Sequence, residues 1–172
     1  MDREKSIVLI GFMGVGKTTI GRLLADKLNW TFVDVDDEIE KEFQMPISEI
    51  FHHFGEQVFR DREKALITRL VEEKYQIISV GGGAFLQEDI KNLCLATCNV
   101  IYLSILFENW QDRLSLIHDS RPVLHGKTLE EIKELFTIRQ VIYSQHHLNI
   151  AVDAKSPQEV ITEILQKGEL KP

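Results

Sequence analysis

Ile7-Val8-Leu9-Ile10-Gly11-Phe12-Met13-Gly14-Val15-Gly16-Lys17-Thr18 decides the fold of this chain. The four apolar residues predict a buried strand. The eight that follow spell G-x-x-x-x-G-K-[ST], a phosphate-binding loop, which belongs between a strand and a helix. Glycines let the backbone curl so that successive N–H groups point inward around an anion. Lys17 is then placed to reach β- and γ-phosphates, and the Thr18 hydroxyl to ligate Mg²⁺. The next stretch supplies the helix: Ile20, Leu23, Leu24, Ala25 and Leu28 recur at i, i+3, i+4 spacing, and the positive end of that helix lies under the phosphates.

Outward from this loop, apolar runs alternate with helical patterns. Strands are predicted at 7–10, 31–34, 76–80, 99–103 and 149–152. Helices are predicted at about 17–28, 37–43, 48–54, 56–73, 87–96, 107–116, 129–146 and 157–167, with a polar, proline-containing stretch over 117–128. Five strands separated by helices imply an α/β fold with a parallel, doubly wound sheet. Short, continuously apolar strands fit burial on both faces. With 172 residues, 44% of them apolar, and no internal repeat, a single domain over 1–172 is expected.

The formal net charge of −7, with lysines and arginines scattered, argues against a nucleic-acid surface. No apolar run approaches the ~18 residues of a membrane span. Met1 to Lys5 run straight into the first strand, so no signal peptide is expected and the cytoplasm is the expected compartment. Cys94 and Cys98 read as reduced, half-buried helix residues. The His52-His53 and His146-His147 pairs read as surface or packing residues, because adjacent positions diverge on a helix and chelate poorly.

In an open parallel sheet, ligands gather at the C-terminal ends of the strands. That rule groups the phosphate loop, Asp34/Asp36 and Gly81-Gly82-Gly83. Asp34-Val35-Asp36 is expected to close the second strand, with alternation sending both carboxylates to one side. Phosphoryl transfer needs such carboxylates for the metal and for the nucleophile, although an acidic cap on the next helix would look the same. The acidic residue that many phosphate-loop proteins carry at the end of a core strand is missing, so metal support falls to Asp34. The three glycines let a substrate approach the backbone and offer N–H donors, or they simply form a flexible turn. Arg60 and Arg62, two residues apart on a helix, point apart, so one of them is expected to face the cleft. Arg121 sits in the polar stretch, of the kind that closes over phosphates. For each of these arginines a surface ion pair is the ordinary alternative.

These residues together resemble the shikimate kinase family over nearly the whole chain. The resemblance runs through Gly11 to Gly21, Asp34-Val-Asp36, Ile47-Ser-Glu-Ile-Phe51 and Gly55-Glu-Gln-Val-Phe-Arg60 with Glu63. It continues through Gly81-Gly-Gly83, Arg121-Pro122 and Arg139 ahead of Tyr143. It implies a three-layer, nucleoside-monophosphate-kinase-like fold with strand order 2-3-1-4-5. It also implies phosphorylation of the shikimate 3-hydroxyl by MgATP, a step of chorismate and aromatic amino-acid synthesis.

By that resemblance Gly14, Val15, Gly16, Lys17, Thr18, Thr19, Arg113 and Arg121 bind ATP, and Thr18 and Asp34 hold Mg²⁺. Asp36 holds the 3-hydroxyl. Arg60, Arg139 and Gly81, Gly82 and Gly83 bind the rest of shikimate, walled by Phe51 and Phe59. Lys17, Asp36 and Arg121 are the catalytic residues. The acceptor subregion spans about 34–62 and the lid about 113–128, with Arg121 in the lid and Arg113 near the adenine. ATP and shikimate are the expected partners, and a monomer is expected. Val152-Asp153-Ala154-Lys155 departs from the family's commoner Val-Asp-Thr, and the 121–124 stretch reads Arg-Pro-Val-Leu where Arg-Pro-Leu-Leu is commoner. The rival readings are another small-molecule kinase, such as a gluconate kinase, a nucleotide-dependent switch, and an idle paralogue. The switch would need a guanine-specifying N-K-x-D, which the sequence lacks.

Overall fold

The computed structural model describes residues 1, 2, 4–112, 124 and 126–170. Five parallel strands form one sheet in the order β2-β3-β1-β4-β5, flanked by helices. In chain order they are β1 (Ile7–Ile10), β2 (Thr31–Asp34), β3 (Gln76–Ser79), β4 (Asn99–Ser104) and β5 (Leu148–Ala151). Between and after them, among the described residues, run α1 (Lys17–Leu28), α2 (Val35–Phe43), α3 (Ile47–Phe54) and α4 (Glu56–Leu70). They are followed by α5 (Glu88–Thr97), α6 (Phe107–Gln111), α7 (Leu129–Tyr143) and α8 (Pro157–Gly168). The parallel sheet and its strand order are as expected. No helix among the described residues is long and apolar enough to cross a membrane.

β1 is the centre of the core. All four of its side chains are essentially inaccessible, and it pairs with β3 on one side and β4 on the other. The chain leaves β1 toward β2 but leaves β3 toward β4, so the connections diverge between β1 and β3 and open a crevice at their C-terminal ends. The phosphate loop follows β1 and the three glycines follow β3, so both border it.

Several boundaries differ from expectation. β2 stops at Asp34 as predicted, but α2 starts at Val35 rather than near Asp37, so Asp36 lies in the helix and not at the strand end. The Asp34 side chain caps α2 by accepting from the Asp36 N–H at 3.2 Å. Asp36, Asp37 and Glu38 then occupy the acidic first turn that a helix N-terminus favours. α4 ends at Leu70 and α7 at Tyr143, each three residues early. After α7 the chain must pair with β4: His147 donates its N–H to the Val100 carbonyl, and its Nδ1 accepts from the Val100 N–H. Ala84–Leu86 form a 3₁₀ turn that the sequence did not suggest. Cys94 and Cys98 are fully buried rather than half-buried, and burial pushes the Cys94 thiol up to about 12. Cys94 lies on the inward side of α5, and Cys98 follows the helix as its extended C-cap rather than as a helix residue.

α1 packs its Ile20, Gly21, Leu24, Ala25 and Leu28 face toward the sheet. Gly21 is the point of closest approach: a Cβ there would lie 2.4 Å from the Phe32 ring. Gly21→Ala should therefore lower the unfolding free energy by about 1–3 kcal/mol despite alanine's better helix propensity, because the ring must be displaced. Denaturant unfolding measures it, and an unchanged or raised midpoint would show that the ring moves freely.

Candidate active site

The phosphate loop forms as its glycines require. Gly14 and Gly16 have φ of +74° and +107°, conformations that side-chain-bearing residues rarely adopt, and Gly16 leads directly into α1. Lys17 Nζ bridges two carbonyls of the loop, Gly11 at 2.8 Å and Phe12 at 3.3 Å. The Thr18 hydroxyl donates to Asp34 Oδ2 at 2.7 Å. The resulting cavity, about 200 Å³, is bordered by Gly14, Gly16, Lys17, Thr18, Thr19, Asp34 and Asp36. Val15 and Thr19 also line a slot of about 180 Å³ that extends to Val152 and Pro157.

A second cavity of about 270 Å³ adjoins the first. Met13, Asp36, Gly81 and Gly82 border both. Its far side is built by α3, α4 and α7. Phe51 and Phe59 meet edge to face, with ring centroids 5.1 Å apart, and form an apolar wall. The Arg60 guanidinium lies 5.1 Å from the Phe59 ring centroid. Arg139 comes from α7 and is largely buried. Burial lowers its pKa from the ordinary guanidinium value.

Of the two arginines on α4, Arg60 faces the cavity, whereas Arg62 turns away to pair with Glu42. Arg60 Nη1 donates to Glu63 Oε2 at 2.7 Å, while Nε and Nη2 donate to Glu56 Oε1 at 3.1 and 3.0 Å. Glu63 was quoted in the sequence resemblance without a role, and its surroundings are unusual. It is 0% exposed, its Oε2 also accepts from Gln87 Nε2 at 2.9 Å, and its Oε1 has no hydrogen-bond partner among the described residues. Burial, only partly offset by Arg60 and reinforced by the charge of Asp36, raises its pKa to about 7.

The three glycines act here chiefly by leaving room. A Cβ on Gly81 would lie 2.8 Å from Asp36 Oδ1, and one on Gly83 would lie 2.6 Å from Arg60 Nη2. The Gly82 carbonyl is held by Arg139 Nη1 at 2.9 Å and by the Tyr143 hydroxyl at 2.6 Å. Tyr143 has no site role in the sequence reading, although its i+4 position after Arg139 puts both on one helix face. The structure thus brings Asp36, Phe51, Phe59, Arg60, Gly81, Gly82, Gly83 and Arg139 to one cavity. Arg113 and Arg121 lie outside the described residues.

A fold of this kind, with a phosphate cradle opening onto an arginine-bearing cavity, has named relatives. The family model described as shikimate kinase matches residues 13–169. A shikimate kinase of Bacillus licheniformis is 50% identical over 171 residues, which is 97% of each chain. The solved structure of shikimate kinase from Acinetobacter baumannii in complex with shikimate is 32% identical with a TM-score of 0.90, covering 96% of this chain and 93% of that one. A gluconokinase from Sinorhizobium meliloti 1021 covers 96% of this chain and 92% of its own at a TM-score of 0.54, and its 13% identity makes that a likeness of fold alone. With the family match spanning almost all of the sequence and half of its residues shared with a full-length relative, this chain belongs to the shikimate kinase family.

Proposed function

We propose that this chain transfers the γ-phosphoryl group of ATP to the 3-hydroxyl of shikimate, giving ADP and shikimate 3-phosphate. The observation that carries the reading is the position of Asp36, a carboxylate bordering both the phosphate cradle and the arginine-bearing cavity. A hydroxyl held there from the second cavity faces a phosphate held in the first. The second cavity matches the acid in kind: guanidinium groups for a planar carboxylate, polar groups for ring hydroxyls, and an aromatic wall for the ring. The acceptor subregion is then about 34–62 with Arg139 facing it, and the lid about 113–128.

Phosphoryl transfer of this type has a loose transition state, so positioning and charge neutralisation supply most of the catalysis. Lys17 spreads positive charge over the transferring group and ties the cradle to its own carbonyls. Asp36 orients the acceptor hydroxyl and lies where its proton is released. Arg121 adds charge from the lid and Arg113 packs near the adenine, both assigned from the family resemblance. Thr18 and Asp34 fit Mg²⁺, because they offer a hydroxyl and a carboxylate oxygen 2.7 Å apart at the edge of the cradle, and nucleotide-bound Mg²⁺ takes its other oxygens from phosphate and water. When bound, the ion neutralises developing charge on the β- and γ-oxygens.

Glu63 has a dual effect on the acceptor cavity. Ionised, it fixes Arg60 by a short charge-assisted bond; protonated, it leaves the cavity more positive toward an acid. Its raised pKa also makes it a stability term. Between pH 4.5 and about 7 the folded protein keeps a proton on Glu63 that the unfolded chain has released. Stability from this group is therefore full below pH 4.5 and is lost as pH rises through about 7.

Three outcomes are expected. Lys17→Met should reduce turnover by roughly 10³-fold or more with an unchanged far-ultraviolet circular dichroism spectrum, and retained activity would dismiss the cradle. Arg60→Ala should raise KM for shikimate by roughly 30-fold or more while KM for ATP moves little; equal effects on both would make Arg60 structural. Relative to Glu63→Gln, the wild-type unfolding free energy should fall by on the order of 3 kcal/mol between pH 4 and pH 8, with parallel profiles as the opposing result.

A further inference from the structure

We propose that Trp110 is a positioning residue of the phosphate cradle, setting the direction of its first inward N–H group. The inference rests on the reading that residues 14–19 hold nucleotide phosphates.

Trp110 is 0% exposed, and a buried indole N–H needs an acceptor. It finds one in the Met13 carbonyl, at 2.7 Å. That bond joins residues 97 apart in the chain, from α6 to the phosphate loop. The Met13 carbonyl shares a planar peptide unit with the Gly14 N–H, and every peptide bond among the described residues is trans. In a trans peptide the C=O and N–H point in opposite directions. Holding the carbonyl toward Trp110 therefore aims the Gly14 N–H away from α6. Gly14 borders the cradle and Trp110 does not.

The restraint matters at this peptide more than at others. A peptide plane can rotate almost independently of its neighbours when the residue after it is glycine, and Gly14 already has a φ of +74°. The rotated form would turn a carbonyl oxygen toward an anion. The two preceding carbonyls are held by Lys17 Nζ, and that of Phe12 also accepts the Val15 N–H at 3.2 Å. Trp110 takes the third, that of Met13.

Trp110 is itself held on several sides. Phe12 packs edge to face against it with centroids 5.0 Å apart, and Phe107 and Phe136 close the cluster at 5.7 and 6.0 Å. The helix that carries it is anchored at its start, where Asp153 Oδ1 accepts from the Leu106 N–H at 2.9 Å and from Asn109 Nδ2 at 2.6 Å. The indole thus meets the Met13 carbonyl from a packed and anchored position.

The test uses the full chain with two replacements of Trp110. Trp110→Phe keeps an aromatic ring without the donor. Substitution by β-(3-benzothienyl)alanine, introduced by amber suppression, keeps the bicyclic shape and puts sulfur where the N–H was. Calorimetric titration with MgADP should show binding weakened about 5- to 20-fold in both, while KM for shikimate stays within 2-fold. If Trp110→Phe does not fold, the isosteric replacement decides alone. MgADP affinity within 2-fold of wild type in the folded variants would overturn the proposal, as would equal losses of MgADP and shikimate affinity. Lys17→Met is titrated alongside. Weaker MgADP binding there with unchanged binding in the Trp110 variants removes this inference alone, whereas unchanged binding in Lys17→Met removes the cradle reading beneath it.

Discussion

A loop that binds phosphate through its backbone must send its carbonyl oxygens somewhere else, because each planar peptide that turns an N–H inward turns a C=O outward. Much of this structure can be understood as the disposal of those carbonyls. Lys17 bridges the first two and Trp110 holds the third. The latter contact reaches across to α6, where Trp110 packs in the aromatic cluster with Phe12, Phe107 and Phe136. Phe136 lies on α7 one turn before Arg139, whose guanidinium holds the Gly82 carbonyl. The helix that packs against the aromatic cluster of the phosphate loop is thus the one that brings Arg139 to the second cavity.

The acceptor cavity obeys a different constraint. On the proposed reading its cations stay open for an incoming acid, yet guanidinium groups next to buried carboxylates tend to be consumed by them. Arg60 is shared between exposed Glu56 and buried Glu63, and it rests against Gly83, where any side chain would displace it. Glu63 accepts this arrangement at the expense of a raised pKa and an oxygen without a hydrogen-bond partner among the described residues. The cost is local and keeps Arg60 at the cavity wall.

The donor side was legible in the sequence because its chemistry is written in consecutive residues. Gly11 to Thr18 specify a strand end, a turn and a helix start together, and the backbone itself supplies the ligands. The parallel sheet followed from the alternation of apolar runs and helical patterns. The end of β2 at Asp34 was read correctly, but α2 was started two residues late although its signal was present: an aspartate with three acidic residues in the turn after it is also a helix cap with a favourable first turn. The early end of α7 was not legible, since it depends on His147 finding both backbone groups of Val100 on β4. Helical geometry showed only that one of Arg60 and Arg62 faces the cleft, the resemblance chose Arg60, and the burial of Glu63 could not be foreseen, because Gln87 and Asp36 approach it from other elements. Trp110 carried no motif at all; its partner is a backbone carbonyl, which leaves no trace in residue identities.

The early start of α2 also explains why Asp36 can border two cavities. Had β2 continued to residue 36, pleating would have set Asp36 in line with Asp34, facing the Thr18 side alone. Instead Asp34 turns the chain into α2, keeping its own carboxylate on Thr18 with one oxygen and capping the helix with the other. Asp36 is carried around the first turn, until its Oδ1 lies over Gly81, where the β3 loop has no side chain to obstruct it. Two carboxylates two residues apart thus point into different chemistry. The division depends on a helix cap and on a glycine from a different strand, so neither the spacing of the aspartates nor the glycine run explains it alone.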